Sequence, residues 1–184
     1  MRLVESNSFH AIRKLVCAAL LLLLPAIARA DFSGYYAPAN WTITNSFGGA
    51  VDTSGAPASI QITGPDESSP GDIDFTITAP IAGTVEFDWL YTSIDLPVLD
   101  TAGYLLNGAY IVLAPADGLS GPALFPVAAG DVFGFRVSSD DGTEGPGVFT
   151  ISNFSAPVPE ASVWAMFGMG SALLIASLRL RRKL

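Results

Sequence analysis

Apolar and polar positions alternate through the middle of the chain. In Asp72-Ile73-Asp74-Phe75-Thr76-Ile77-Thr78 every second residue is apolar, and Thr84-Val85-Glu86-Phe87-Asp88-Trp89 repeats the pattern. A two-residue period places successive side chains on opposite faces, so each run predicts a strand with one face buried. Shorter runs at 41–44, 59–63, 104–106, 110–114, 123–127, 132–137 and 148–154 read the same way. Residues 31–157 also hold 16 Gly and 11 Pro, a density of turn formers that excludes long helices. The pattern predicts an all-β fold, an antiparallel β-sandwich of jelly-roll type. Phe75, Phe87, Trp89, Phe133 and Phe135 are its expected core, and residues 129–137 read as a Gly-Asp turn running into a buried strand.

Both ends break this pattern. Residues 1–30 combine Arg2, Arg13 and Lys14 with a 12-residue apolar run at 16–27 and then Ala28-Arg29-Ala30-Asp31. That order is a secretory signal, with small Ala28 and Ala30 suited to signal peptidase and Asp31 as the expected first residue of the mature chain. The run is too short to cross a hydrocarbon core, which takes about 20 helical residues. At the other end, residues 161–178 form 18 uncharged positions followed by Arg179, Arg181, Arg182 and Lys183. This predicts one C-terminal transmembrane helix with its basic end in the cytoplasm and the preceding domain outside. The expected organisation is a signal peptide at 1–30, an exported sandwich at 31–157 and a tail at 158–184.

Charge follows the same division. The formal net charge of -8 splits into four basic and one acidic residue in 1–30, one basic and fifteen acidic in 31–157, and four basic and one acidic in 158–184. A middle whose only cation is Arg136 cannot neutralise phosphates, so nucleic acid is excluded as a partner. The only His and the only Cys, His10 and Cys17, precede the expected cleavage point. The mature domain therefore has no Ser-His-Asp or Cys-His nucleophile and no disulfide.

Immediately before the apolar tail the chain reads Val158-Pro159-Glu160-Ala161. This motif, the helix with an early Trp164 and the terminal Arg cluster together resemble the PEP-CTERM sorting domain of Gram-negative bacteria, with Ala161 standing where the family has its second Pro. The resemblance covers residues 158–183. It implies recognition and processing by exosortase, a membrane-embedded cysteine protease or transpeptidase, in bacteria that make extracellular polysaccharide. The chain would then be held in the inner membrane and later attached at the cell surface or released into the matrix. Pro157 and Pro159 favour extended backbone around the motif, a form that a protease cleft can bind.

For the domain itself three readings stand: a structural or binding protein of the matrix, a calcium-assisted carbohydrate-binding module, and a small glycoside hydrolase working through two carboxylates. The first is preferred, and no enzyme activity is expected. No organic cofactor is expected either, whereas calcium suits the acids. If 72–78 and 84–90 pair as a hairpin, Asp74 faces Asp88, and a cation between them would offset their repulsion. Asp95, Asp100 and the turn Asp140-Asp141-Gly142-Thr143-Glu144 offer further oxygens, although EF-hand spacing is absent. Asn40-Trp41-Thr42 and Asn153-Phe154-Ser155 match the glycosylation acceptor pattern, which a bacterial export context makes a chance match.

Overall fold

The computed structural model describes residues 29–95 and 99–159. The signal-type apolar run, Ala28, Glu160, Ala161, the expected transmembrane helix and the basic cluster at 179–183 lie outside the described residues. Within them, eleven strands form two facing antiparallel sheets. The short strands β1 (Arg29–Ala30), β2 (Thr42–Asn45) and β3 (Ala50–Asp52) precede eight others. These are β4 (Ser59–Thr63), β5 (Gly71–Thr78), β6 (Gly83–Thr92), β7 (Asp100–Leu106), β8 (Ala109–Ala114), β9 (Ser120–Val127), β10 (Val132–Ser139) and β11 (Val148–Pro157).

The eight later strands form a folded-back ribbon. β7 pairs with β8, β6 with β9, β5 with β10 and β4 with β11, all antiparallel. Rolling the ribbon puts alternate pairs in opposite sheets, giving the order β3-β4-β11-β6-β9 against β2-β5-β10-β7-β8. This is the jelly-roll arrangement that the alternation predicts. It also corrects the expected hairpin. β5 and β6 follow each other in the chain but are successive rungs of the ribbon, so they lie in different sheets and do not pair.

The core follows from strand parity. Ile73, Phe75 and Ile77 of β5, Phe133, Phe135 and Val137 of β10, and Val85 and Phe87 of β6 all point inward and are buried. Trp89 is partly buried against them. Trp41 sits between Phe75 and Phe135, with ring centroids 4.6 and 5.8 Å away and nearly parallel planes. Its indole N–H donates to the Tyr36 carbonyl at 2.9 Å, which satisfies the one polar atom of a buried Trp. On β11, Phe149 and Ile151 point inward and simple alternation would send Asn153 in next. A bulge between Ser152 and Ser155 shifts the register. Asn153 takes a φ of 49°, and Phe154 enters the core to stack on Phe32 at 4.4 Å.

The edge strand β9 carries Pro122 and Pro126, four residues apart. Proline has no N–H to offer a further strand, so these residues blunt the edge against pairing with another chain.

Candidate functional site

The two ends of the sandwich differ in chemistry. Arg29 pairs with Pro157 and Ala30 with Ala156, and the Tyr36 hydroxyl donates to the Pro157 carbonyl at 2.7 Å. The chain thus enters and leaves the domain side by side. Asp31 is exposed directly after Ala30, and Val158 and Pro159 continue past the last strand. At this end the connections 79–82, 107–108 and 128–131 contain one acid, Asp131. The opposite end is about 30 Å away, the length of the ten-residue β11 at about 3.3 Å per residue. There the connection 64–70 brings Asp66 and Glu67, 93–99 brings Asp95, 115–119 brings Asp117, and 140–147 brings Asp140, Asp141 and Glu144. None of these connections contains Lys, Arg or His.

Two acids of this far end are buried. Asp100, the first residue of β7, is 2% exposed, and Asp95 is 6% exposed. Ser93 ties the region together: its N–H donates to Asp117 Oδ1 at 2.7 Å, and its hydroxyl accepts the Asp95 N–H at 3.1 Å. The same hydroxyl lies 3.5 Å from Asp100 Oδ2. Among the described residues, Asp100 Oδ1 and the buried Tyr91 hydroxyl have no hydrogen-bond partner. Burial raises the Asp100 carboxyl above the usual range, and the negative charges of Asp95 and Asp141 push it the same way, against hydrogen bonding from Ser139 and Gly147. Among the described residues, no three side chains of the His, Cys, Asp and Glu types converge into a metal cage.

The outward face of the five-stranded sheet holds a second cluster. Arg136 on β10 stands opposite Asp74 on β5 and binds it through two nitrogens, Nε to Oδ1 at 2.6 Å and Nη2 to Oδ2 at 2.8 Å. Its Nη1 lies 3.1 Å from Asp72. The guanidinium also covers the Tyr110 ring at 5.4 Å. Burial pushes the Tyr110 phenol up to about 12, and its oxygen shares a 3.1 Å hydrogen bond with Thr101. Asp88, on the other sheet, accepts the Asn153 amide at 2.7 Å. Asp74 and Asp88 therefore do not share a calcium ion: they occupy different sheets, and each already has a partner on its own sheet.

Beside this cluster the same face opens into a cleft of about 280 Å³, lined by Tyr35, Asn40, Thr42, Thr76, Thr78 and Val132 among others. Its lining is uncharged and rich in hydroxyls. Tyr35 is 42% exposed, and its hydroxyl donates to the Thr78 carbonyl at 3.0 Å, which fixes the ring at the rim. Gly134 forms part of the face beside Thr76. A Cβ there would collide with the Phe75 carbonyl oxygen, so only glycine permits this strand approach.

Among the described residues no helix is long and apolar enough to cross a membrane. No protein-family model and no curated protein matches the chain. Solved structures similar to it include a family 35 carbohydrate-binding module from Clostridium thermocellum, with 13% identity over 69% of this chain and 98% of that one and a TM-score of 0.35. The family 11 carbohydrate-binding module of the cellulase Lic26A-Cel5E from the same organism gives 12% identity over 73% and 97%, with a TM-score of 0.38. The enzymatically active domain of tailspike protein 4 of bacteriophage CBA120 gives 11% over 72% and 22%, with a TM-score of 0.39. At these values neither ligand nor activity transfers to this chain.

Proposed function

We propose that the chain is an exported bacterial protein of the cell exterior, delivered by its N-terminal signal and held in the inner membrane by its C-terminal helix. Exosortase processes it through the tail that begins at Val158, and the sandwich then serves as a structural or binding domain in the polysaccharide matrix, without catalysis of its own. What supports this reading is that the retained N-terminal residues sit beside the exit of the domain, Phe32 stacked on Phe154 at 4.4 Å and the Tyr36 hydroxyl donating to the Pro157 carbonyl. Asp31 and Val158 leave the domain at one end, so a leader before it and a tail after it could meet the same membrane while the acidic end projects about 30 Å away. Replacing Glu160 and Ala161 together with Arg tests the sorting step. Export should continue, and the variant should accumulate unprocessed in the inner membrane. Processing at the normal rate would reduce the motif to a linker.

The threonine-lined cleft favours one binding mode within this reading. An exposed tyrosine ring beside several hydroxyls and an amide suits a neutral polysaccharide, whose rings are apolar on their faces and polar at their edges. Loss of matrix-polysaccharide retardation in Tyr35→Ala, with melting unchanged, is the expected result. Unchanged retardation would remove the cleft from the account.

A further inference from the structure

We propose that the near end of the sandwich rests on phospholipid headgroups while the tail holds the chain in the membrane, with the connections 79–82 and 128–131 as the contact surface. The inference builds on the membrane anchor proposed above. Three residues, 158–160, separate the end of β11 at Pro157 from the uncharged run that starts at Ala161. Fully extended chain advances about 3.5 Å per residue, so Pro157 stays within about 14 Å of Ala161. The headgroup layer of one leaflet takes up about 6 Å of that reach. Less than about 10 Å is left between the domain and the lipid surface, so the near end faces the headgroups at close range whatever path the connection takes.

The chemistry of this end suits that contact. The Ala79 N–H donates to the Asp131 carbonyl at 2.7 Å and the Gly130 N–H to the Ala79 carbonyl at 2.9 Å, which ties the two connections into one floor. Gly83, which follows the first connection, approaches Pro157 so closely that a Cβ there would lie 2.7 Å from the proline side chain, so floor and exit are held together. Ala82, Ala128, Ala129 and Gly130 are exposed, and small uncharged groups meet headgroups without stripping water from a charge. The Asp131 carboxylate is turned back onto Asn107 and the Ala128 N–H. Asp31, exposed at this end, shares it with the α-amino group that removal of the leader frees. Tilting the domain would exchange this floor for Glu86 and Asp88 of one sheet or Asp72 and Asp74 of the other, which anionic lipid repels. The two connections contain no Lys, Arg or Trp to grip a bilayer by themselves, so the short link to the tail is what enforces the contact.

The test uses the full chain in vesicles of phosphatidylethanolamine and phosphatidylglycerol. Cys17 is the only cysteine, so in a Cys17→Ser background one fluorophore goes to one site, Ala129→Cys at the near end or Leu119→Cys at the far end, both exposed. A quencher carried on lipid headgroups should quench the label at 129 several-fold more than the label at 119. Equal quenching at the two sites, or none at either, would overturn the proposal. Inserting a flexible Gly-Ser segment of about ten residues between Pro159 and Glu160 lengthens the link by roughly 18 Å and should bring the quenching at 129 down to the level at 119. Quenching that persists would overturn the role given to the short link. Alkaline extraction of the same vesicles separates this inference from the reading beneath it. A chain released by alkali would remove the membrane anchor and the inference together, whereas a chain retained in the bilayer with label 129 unquenched would remove the inference alone.

Discussion

Arg136 grips Asp74 directly across the β10–β5 pair, with Nε and Nη2 at 2.6 and 2.8 Å from the two carboxylate oxygens. A planar guanidinium meeting a carboxylate through two parallel bonds is the strong form of ion pair. The Arg136 and Asp74 side chains are only 23% and 16% exposed, so solvent screens the pair less than it would an open surface pair. Arg136→Met would leave Asp72 and Asp74 adjacent on one face with no cation. We expect a loss of about 2 kcal/mol, and Arg136→Lys should recover only part of it, since lysine cannot bond through two nitrogens. Chemical denaturation of both variants checks this. A loss under about 0.5 kcal/mol for Arg136→Met would class the pair with ordinary surface pairs.

Asn153 does two jobs at the β11 bulge. Its φ of 49° lies in the left-handed region, where Asn and Gly are tolerated and most other residues are strained. Its amide also donates to Asp88. Asn153→Gly keeps the backbone and loses the bond, whereas Asn153→Ala loses both. The alanine variant should therefore be the less stable of the two by about 1 kcal/mol, read from their denaturation midpoints. Equal stability would mean that the bulge carries no conformational strain.

Asp131 closes the turn before β10. It accepts the Asn107 amide at 3.0 Å and the Ala128 N–H at 2.7 Å, and these bonds hold its carboxyl below the usual range, the Asn107 bond most. A carboxyl lowered by folding stabilises the fold above its unfolded pKa of about 4, and that contribution disappears as pH falls through the folded value. Wild type should melt above Asp131→Asn at pH 7, and the gap should narrow as the pH falls below about 4. A gap independent of pH would show that the carboxylate charge is not what the turn uses.

Strand positions were legible because inward and outward parity is local. The alternation at 72–78 corresponds to β5 and that at 59–63 to β4, and Phe75, Phe87, Phe133 and Phe135 are buried as expected. Pairing was not legible in the same way. Whether β5 turns back on β6 or crosses to the other sheet depends on how the whole ribbon rolls, and nothing in Ala79-Pro80-Ile81-Ala82-Gly83 records that. The expected Asp74 and Asp88 pair failed for this reason. Asn153 fits no simple alternation, and its glycosylation-like context gave no hint of a bulge. At the far end, residue type alone marks Asp95 and Asp100 as oxygen donors. Segments distant in sequence reach this region, 115–119 through Asp117 and 140–147 through Asp140 and Gly147, so no local feature separates Asp95 and Asp100 from the exposed Asp117.

The account rests most heavily on processing at both ends of a domain whose first retained residues lie beside its exit, with Phe32 stacked on Phe154 and Tyr36 bonded to Pro157. Intact-mass and terminal-peptide mass spectrometry of the mature protein from its native host reads both events at once. The predicted species begins at Asp31, ends near Glu160 and lacks Arg179, Arg181, Arg182 and Lys183. A mature chain that still carries residues 16–27 would contradict the signal peptide, and one that still ends at Leu184 would contradict processing through the tail.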